Sequence, residues 1–214
     1  MDLIPKTPRT TLRRIPQNAV YDRAAIDAIL DEGLICHVGF AVEDKPVVIP
    51  TSYARAKDHL YIHGSAASRM LLTLTSGVEV CVAVTLLDGI VFARSAFNHS
   101  MNYRSVVIFG TATLVDDPAE KLEALRLFAE HIVPGRWQEL RAPKPIELKA
   151  TVVLRLPIEE ASAKVRTGPP EDDPDDMSAP VWAGVLPLAL RKGELIADST
   201  GIQVPDYVRN DPRF

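Results

Sequence analysis

Hydrophobic residues along the chain recur with two different spacings, and the change between them marks the elements. From Asp22 to Asp31 the apolar positions Ile26, Ile29 and Leu30 share one helical face, with Asp22 as N-cap and Gly33 as the stop. The period then shifts. LICHVGFAV (34–42) and VVIPTSYARA (47–56) read as strands joined by a turn at EDKP, and KD turns the chain into HLYIH (59–63). Three strands joined by tight turns predict an antiparallel meander. Ser65 or a neighbour then opens a short helix, ASRMLLTLTS (67–76), which Gly77 ends.

The next run, VEVCVAVTLL (78–87), is β-branched and uninterrupted, so it predicts a strand buried on both sides. Asp88-Gly89 reads as a turn into IVFARSA, and YRSVVIFGTATLV (103–115) as a long strand with Gly110 as a bulge. Asp117, Pro118 and Glu120 form a helix start, followed by the stripe Leu122, Leu125, Phe128 and Ile132. LKATVVLRLPI (148–158) is the last clear strand. The expected fold is mainly β with flanking helices: a closed or nearly closed antiparallel barrel and not an alternating βαβ layout. Residues 1–20 read as an arm and 21–160 as the barrel domain. Residues 161–214 read as an acidic, Pro-rich loop and an apolar tail packed on the same domain.

Composition narrows the function. With 214 residues and a formal charge of −4, the chain lacks the basic face of a nucleic-acid or acidic-membrane binder. No run approaches the roughly 20 apolar residues of a membrane span, and the start has no apolar stretch of signal-peptide length. Cys36 and Cys81 lie in strand-like runs, as buried thiols of a reduced compartment would. A cytoplasmic protein is the expectation.

The side-chain chemistry is mostly negative. His59 and His63 fall on a strand, about 13 Å apart at roughly 3.3 Å per residue, so they cannot share a metal. No metal site is expected. There is no GxSxG elbow, GxGxxG or P-loop. Polar residues instead gather at strand ends. Pro50, Thr51 and Ser52 follow Ile49 inside an apolar strand, where a proline removes a ladder donor. His63, Gly64, Ser65, Ser68 and Arg69 form a small-residue turn ending in a guanidinium suited to phosphate. Asn102, Tyr103, Arg104 and Ser105 precede another strand. Turn and cap chemistry accounts for each stretch alone.

Together, VIPTSYAR, LYIHGSAASRM and NYRSVVIFGTATLV, in that order, with the tail VWAGVLPL, resemble the pyridoxamine-phosphate-oxidase-like FMN-binding split barrels. Within that superfamily the chain looks most like nitroimidazole-resistance flavoproteins and flavin-nucleotide-binding proteins. The resemblance implies a Greek-key split barrel holding FMN, with FAD the alternative. It places the ring against Ile49–Ser52 and the phosphate at Ser68 and Arg69, with His63 and Gly64 at the mouth. Asn102, Tyr103, Arg104 and Ser105 would add polar contacts across a homodimer interface, and Trp182 would lie over the flavin or that interface. His63 is the candidate nearest the substrate.

A flavin carries its own redox chemistry, so the resemblance implies an oxidoreductase of small electron-poor molecules, nitroaromatics among them, with NAD(P)H as donor. The C-terminal residues lack the basic set that pyridoxamine phosphate would need. Two rivals stand beside this reading: a flavin-binding protein without turnover, and a haem-binding or haem-degrading split barrel using His99 or His131.

Overall fold

The computed structural model describes residues 2–199, 201–211 and 213. Among them, eleven strands form two antiparallel sheets around one apolar interior. In chain order these are β1 (Ala19–Val20), β2 (Ile35–Val42), β3 (Lys45–Ser52), β4 (Ala54–Ala56), β5 (His59–Ser65), β6 (Glu79–Phe92), β7 (Ser100–Thr111), β8 (Thr113–Leu114), β9 (Thr151–Pro157), β10 (Glu160–Arg166) and β11 (Gly184–Pro187). The larger sheet has the order β1-β10-β7-β6-β2-β3, with β11 also pairing β6, and the smaller is β4-β5-β9-β8. Flanking helices include α1 (Arg23–Glu32), α2 (Arg69–Thr75), α3 (Pro118–Ile132) and α4 (Pro145–Ala150). The mainly β antiparallel architecture read from the periodicity forms, as the split barrel that the resemblance implies.

Side chains from both sheets fill the interior. Val38, Val82 and Ile108 meet Leu60, Ile62, Leu154 and Leu156, joined by Ile29 and Leu30 of α1 and Leu71 and Leu74 of α2. A second cluster lies under α3, where Phe128 packs with Tyr61 and Val153. Strand β5 therefore has two distinct faces. Leu60 and Ile62 enter the barrel, while Tyr61 and His63 face α3. The arm is anchored: β1 pairs with β10, Ile4 is buried, and Arg9 bridges Glu79 and Glu160.

Several expectations need correction. Asp88-Gly89 does not turn the chain, because β6 runs straight through it with a register shift between Leu87 and Gly89. The bulge is therefore here and not at Gly110, which stays in register opposite Val80. Strand β6 is not buried on both sides; Val80, Val82 and Val84 are buried, whereas Cys81 and Ala83 are only half-covered. VVIPTSYARA is two strands, since the chain changes sheets at the fully buried Tyr53. Helix α2 starts at Arg69 with Ser68 as its cap, later than Ser65. On α3 the buried positions are Ala124 and Phe128, and Leu122 and Ile132 are exposed. A further strand, β10, follows the one expected to be last.

Candidate functional site

A cavity of about 450 Å³ opens between the β2–β3 hairpin and the start of α2. The hairpin turns at Glu43 and Asp44, both with positive φ (50° and 59°), the backbone of a two-residue hairpin turn. Register pairs Phe40 with Val47 and Val38 with Ile49, so alternate residues of both strands face inward. Phe40, Val47 and Ile49 make an apolar wall. Opposite stand Ser68, Arg69, Met70 and Thr73, which successive helical turns bring to one side of α2.

The polar end of this slot is Arg69. It is exposed, and its guanidinium has no hydrogen-bond or ion-pair partner among the described residues. Most other buried-side arginines are occupied: Arg55 by Asp31, Arg94 by Asp172 and Arg155 by Glu120. Ser68 caps α2 through its hydroxyl oxygen, which accepts from Leu71 N at 3.4 Å. Its hydroxyl proton is still able to donate.

Strand β3 is an edge of the larger sheet. Counting outward from the hairpin turn, Pro46 and Pro50 fall at positions whose missing N–H would face the free edge. The prolines therefore cost no ladder bond, contrary to the expectation for Pro50. They leave an edge rich in carbonyl acceptors and closed to strand addition.

The other expected site residues are scattered. Thr51 shares the inward parity of Ile49, and Pro50 and Ser52 point to the other face. Gly64 packs under α2, where an added Cβ would meet Leu71 at 3.1 Å, and the Ser65 hydroxyl accepts from Ala67 N at 3.2 Å in the turn. His63 does not line the cavity. Its ring lies on Phe128, with centroids 4.0 Å apart, because odd positions of β5 face α3. The 102–105 stretch splits across the sheet. Asn102 donates to Gly168 O at 3.2 Å, and Ser105 lies in a groove with Arg9 and Lys164. Tyr103 is set opposite Leu87 and Arg166. Arg104 is held by Glu32 and Asp88, at 2.8 Å from each, which raises its pKa and lowers that of Glu32. Trp182 lies apart, 69% exposed and packed against Phe92.

Phe40, Lys45, Val47, Met70 and Thr73 line the cavity but escape motif reading. Strand alternation from Ile49 and helical spacing from Arg69 are the signals that point to them. Both thiols are free; Cys36 is buried as expected, which pushes its pKa up to about 12, whereas Cys81 is only half-buried. No group of three metal-ligating side chains occurs among the described residues.

Two histidines give a pH response. Burial lowers the pKa of His131, only partly offset by its bond to the Gly33 carbonyl, and burial lowers that of His63. The unfolded chain then takes up protons that the folded chain refuses. Stability is therefore complete above the ordinary value of 6.5 and falls as pH drops through it. Urea midpoints should decline between about pH 7 and 5.5, and His131→Gln should make that decline shallower. An equal slope in the variant would show that His131 does not contribute.

Two sheets in this order, with a cavity between an edge strand and a short helix, define the split-barrel class. The chain belongs to the pyridoxamine 5'-phosphate oxidase family, which it matches over residues 22–165. It is similar to a flavocytochrome of Azotobacter vinelandii, with 41% identity over 95% of this chain and 96% of that one, at a TM-score of 0.89. It is also similar to an FAD- and haem-binding protein of Mycobacterium smegmatis, with 37% identity over 90% and 96% of the two chains and a TM-score of 0.85. A protein of Bacteroides thetaiotaomicron assigned to 5-nitroimidazole antibiotic resistance shares the fold at 22% identity, covering 69% and 86% of the chains, with a TM-score of 0.58. A search of curated proteins finds no match.

Proposed function

We propose that the chain is a flavin-binding redox protein that also binds haem, as its relatives at 41% and 37% identity are named for doing. The observation that carries the flavin half is the slot in which the unpaired Arg69 ends an apolar wall. The fit is chemical. Phe40, Val47, Ile49 and Met70 suit the faces of a flat ring, and a guanidinium suits a phosphate. FAD is assigned in preference to the expected FMN, because the M. smegmatis relative is named for FAD. Both nucleotides carry the phosphate that Arg69 would hold.

Bound flavin and haem would supply hydride and single-electron chemistry. The chain's own residues bind and shield. Arg69 and the Ser68 hydroxyl hold the phosphate end, the inward hairpin residues exclude water, and Lys45 stands at the rim. NAD(P)H as donor and a small electron-poor acceptor complete this reading. Nitro reduction has only the fold in its favour, since the resistance protein shares 22% identity. A homodimer is part of the proposal. His37, Ala83 and Val107 form one cross-strand row on the outer face of the larger sheet, near the exposed Ile35 and Val48. A second copy would cover this flat face and bring Tyr103 and Ser105 toward the partner's site.

The test is titration of flavin-free protein with FAD and riboflavin, followed by fluorescence quenching. FAD should bind at least tenfold more tightly, because riboflavin lacks the phosphate. Equal affinities would mean that the Ser68–Arg69 turn only caps α2. Light scattering of the loaded protein should return twice the chain mass, and a monomer would remove the shared interface.

A further inference from the structure

The haem half of this reading needs an axial ligand, and the histidines differ in what they offer. His131 donates Nε2–H to Gly33 O at 2.7 Å and packs against Tyr53, so its outer nitrogen is occupied. His63 lies on Phe128 beneath α3. His59 is paired with Asp58 at 2.7 Å. His37 stands on the outer sheet face between Pro50 and Ala83.

His99 is different. It is exposed, as His37 is, but its ring is also held in place: Nδ1 lies 2.8 Å from Ser95 O. A carbonyl can only accept, so Nδ1 carries the proton and the Nε2 lone pair is the one left for a ligand. That is the tautomer metal-binding histidines adopt, with the second nitrogen tied to a carbonyl that fixes the ring.

Its surroundings suit a flat apolar ligand. Register sets Val91 opposite Ser100 and Phe92 opposite Gly184, so His99, Phe92 and the start of β11 lie side by side. The Phe92 ring is 6.1 Å from His99 and 5.6 Å from Trp182. Trp182 covers Gly184, where a Cβ would meet the indole at 2.8 Å. Phe97 is 89% exposed and Trp182 69% exposed, leaving an uncovered aromatic strip beside a free ring nitrogen. The same loop also holds buried donors without a partner, Arg94 Nε and Asn98 Nδ2.

We propose that His99 is an axial ligand of the bound haem through Nε2, an assignment that rests on the haem reading above. The probe is haemin added to the purified full chain, followed by the Soret band, electron paramagnetic resonance and haem content. The wild type should take up haem. His99→Ala should lose more than about tenfold in haemin affinity or show a shifted Soret band, and added imidazole should restore the wild-type spectrum. Flavin binding should be unchanged in that variant, and His131→Gln should keep the wild-type spectrum. Wild-type spectra in His99→Ala, or their loss in His63→Ala alone, would overturn the assignment while leaving haem binding intact. A wild type that takes up no haem would overturn the haem reading and this assignment together.

Discussion

Replacing Arg69 with alanine should weaken FAD binding roughly ten- to a hundredfold. A charge-assisted hydrogen bond contributes about 1.5–3 kcal/mol, and each 1.4 kcal/mol is about a factor of ten in affinity. The full effect is expected here because Arg69 has no carboxylate partner among the described residues that its loss would also strand. Folding stability should barely change, since the side chain is exposed. Arg69→Lys should be intermediate, keeping the charge without the planar fork. Arg126→Ala removes an arginine paired with Glu123 on the outer side of α3 and should leave affinity unaltered. Unchanged FAD affinity in Arg69→Ala would remove that residue from the site.

The second large effect is on stability. Gly33 ends α1 with an ordinary φ of −71°, so nothing in its backbone demands glycine. Its surroundings do. An added Cβ would meet Val84 Cγ1 at 2.6 Å and the Tyr53 hydroxyl at 2.7 Å. Tyr53 is fully buried and donates to Leu30 O at 2.6 Å, so pushing its ring aside breaks a bond that no water replaces. The Gly33 carbonyl also accepts from His131. Gly33→Ala should cost about 2–3 kcal/mol, with roughly 2–4 °C lost in Tm per kcal/mol for a chain of this size. Pairing it with Val84→Ala should recover part of the loss. Gly193→Ala, where nothing lies within 4 Å, is the matched control and should be silent. A neutral Gly33→Ala would show that Tyr53 and Val84 yield without strain.

The elements that sequence alone exposes are those whose signals are local. Asp22 and Asp117 cap α1 and α3 as expected, and the β-branched runs become β6, β7 and β9. The failures are places where a distant partner overrides a local signal. Asp88-Gly89 has turn chemistry, but β7 and β11 both pair with that part of β6 and hold it extended. Gly89 is small because a Cβ would meet Leu186 O at 3.0 Å, a demand set by a strand nearly a hundred residues away. Strand β10 hides because its buried residues, Ala161, Ser162 and Ala163, are too small to read as a core pattern.

The site divides in the same way. Ser68 and Arg69 were legible because a small-residue turn before an arginine is a local pattern, and both line the cavity. For His63 only its place at the end of a strand was legible. Which face of β5 turns into the barrel depends on where α3 packs, and α3 claims the odd face. The residues 102–105 looked like one cluster, but alternation along β7 sends Arg104 to Glu32 and Asp88 and Ser105 to the opposite face. The apolar wall of Phe40 and Val47 carries no polar signature, so only the hairpin register reveals it.

On the function proposed above, this chain binds a flavin beside Arg69 and a haem as well. The most direct test of that function is the absorbance spectrum of protein purified from cells supplied with a haem precursor, with mass spectrometry of the released chromophores. Flavin bands together with a Soret band are expected, with FAD and haem b among the extracted species. A colourless protein that takes up neither compound on reconstitution would contradict it.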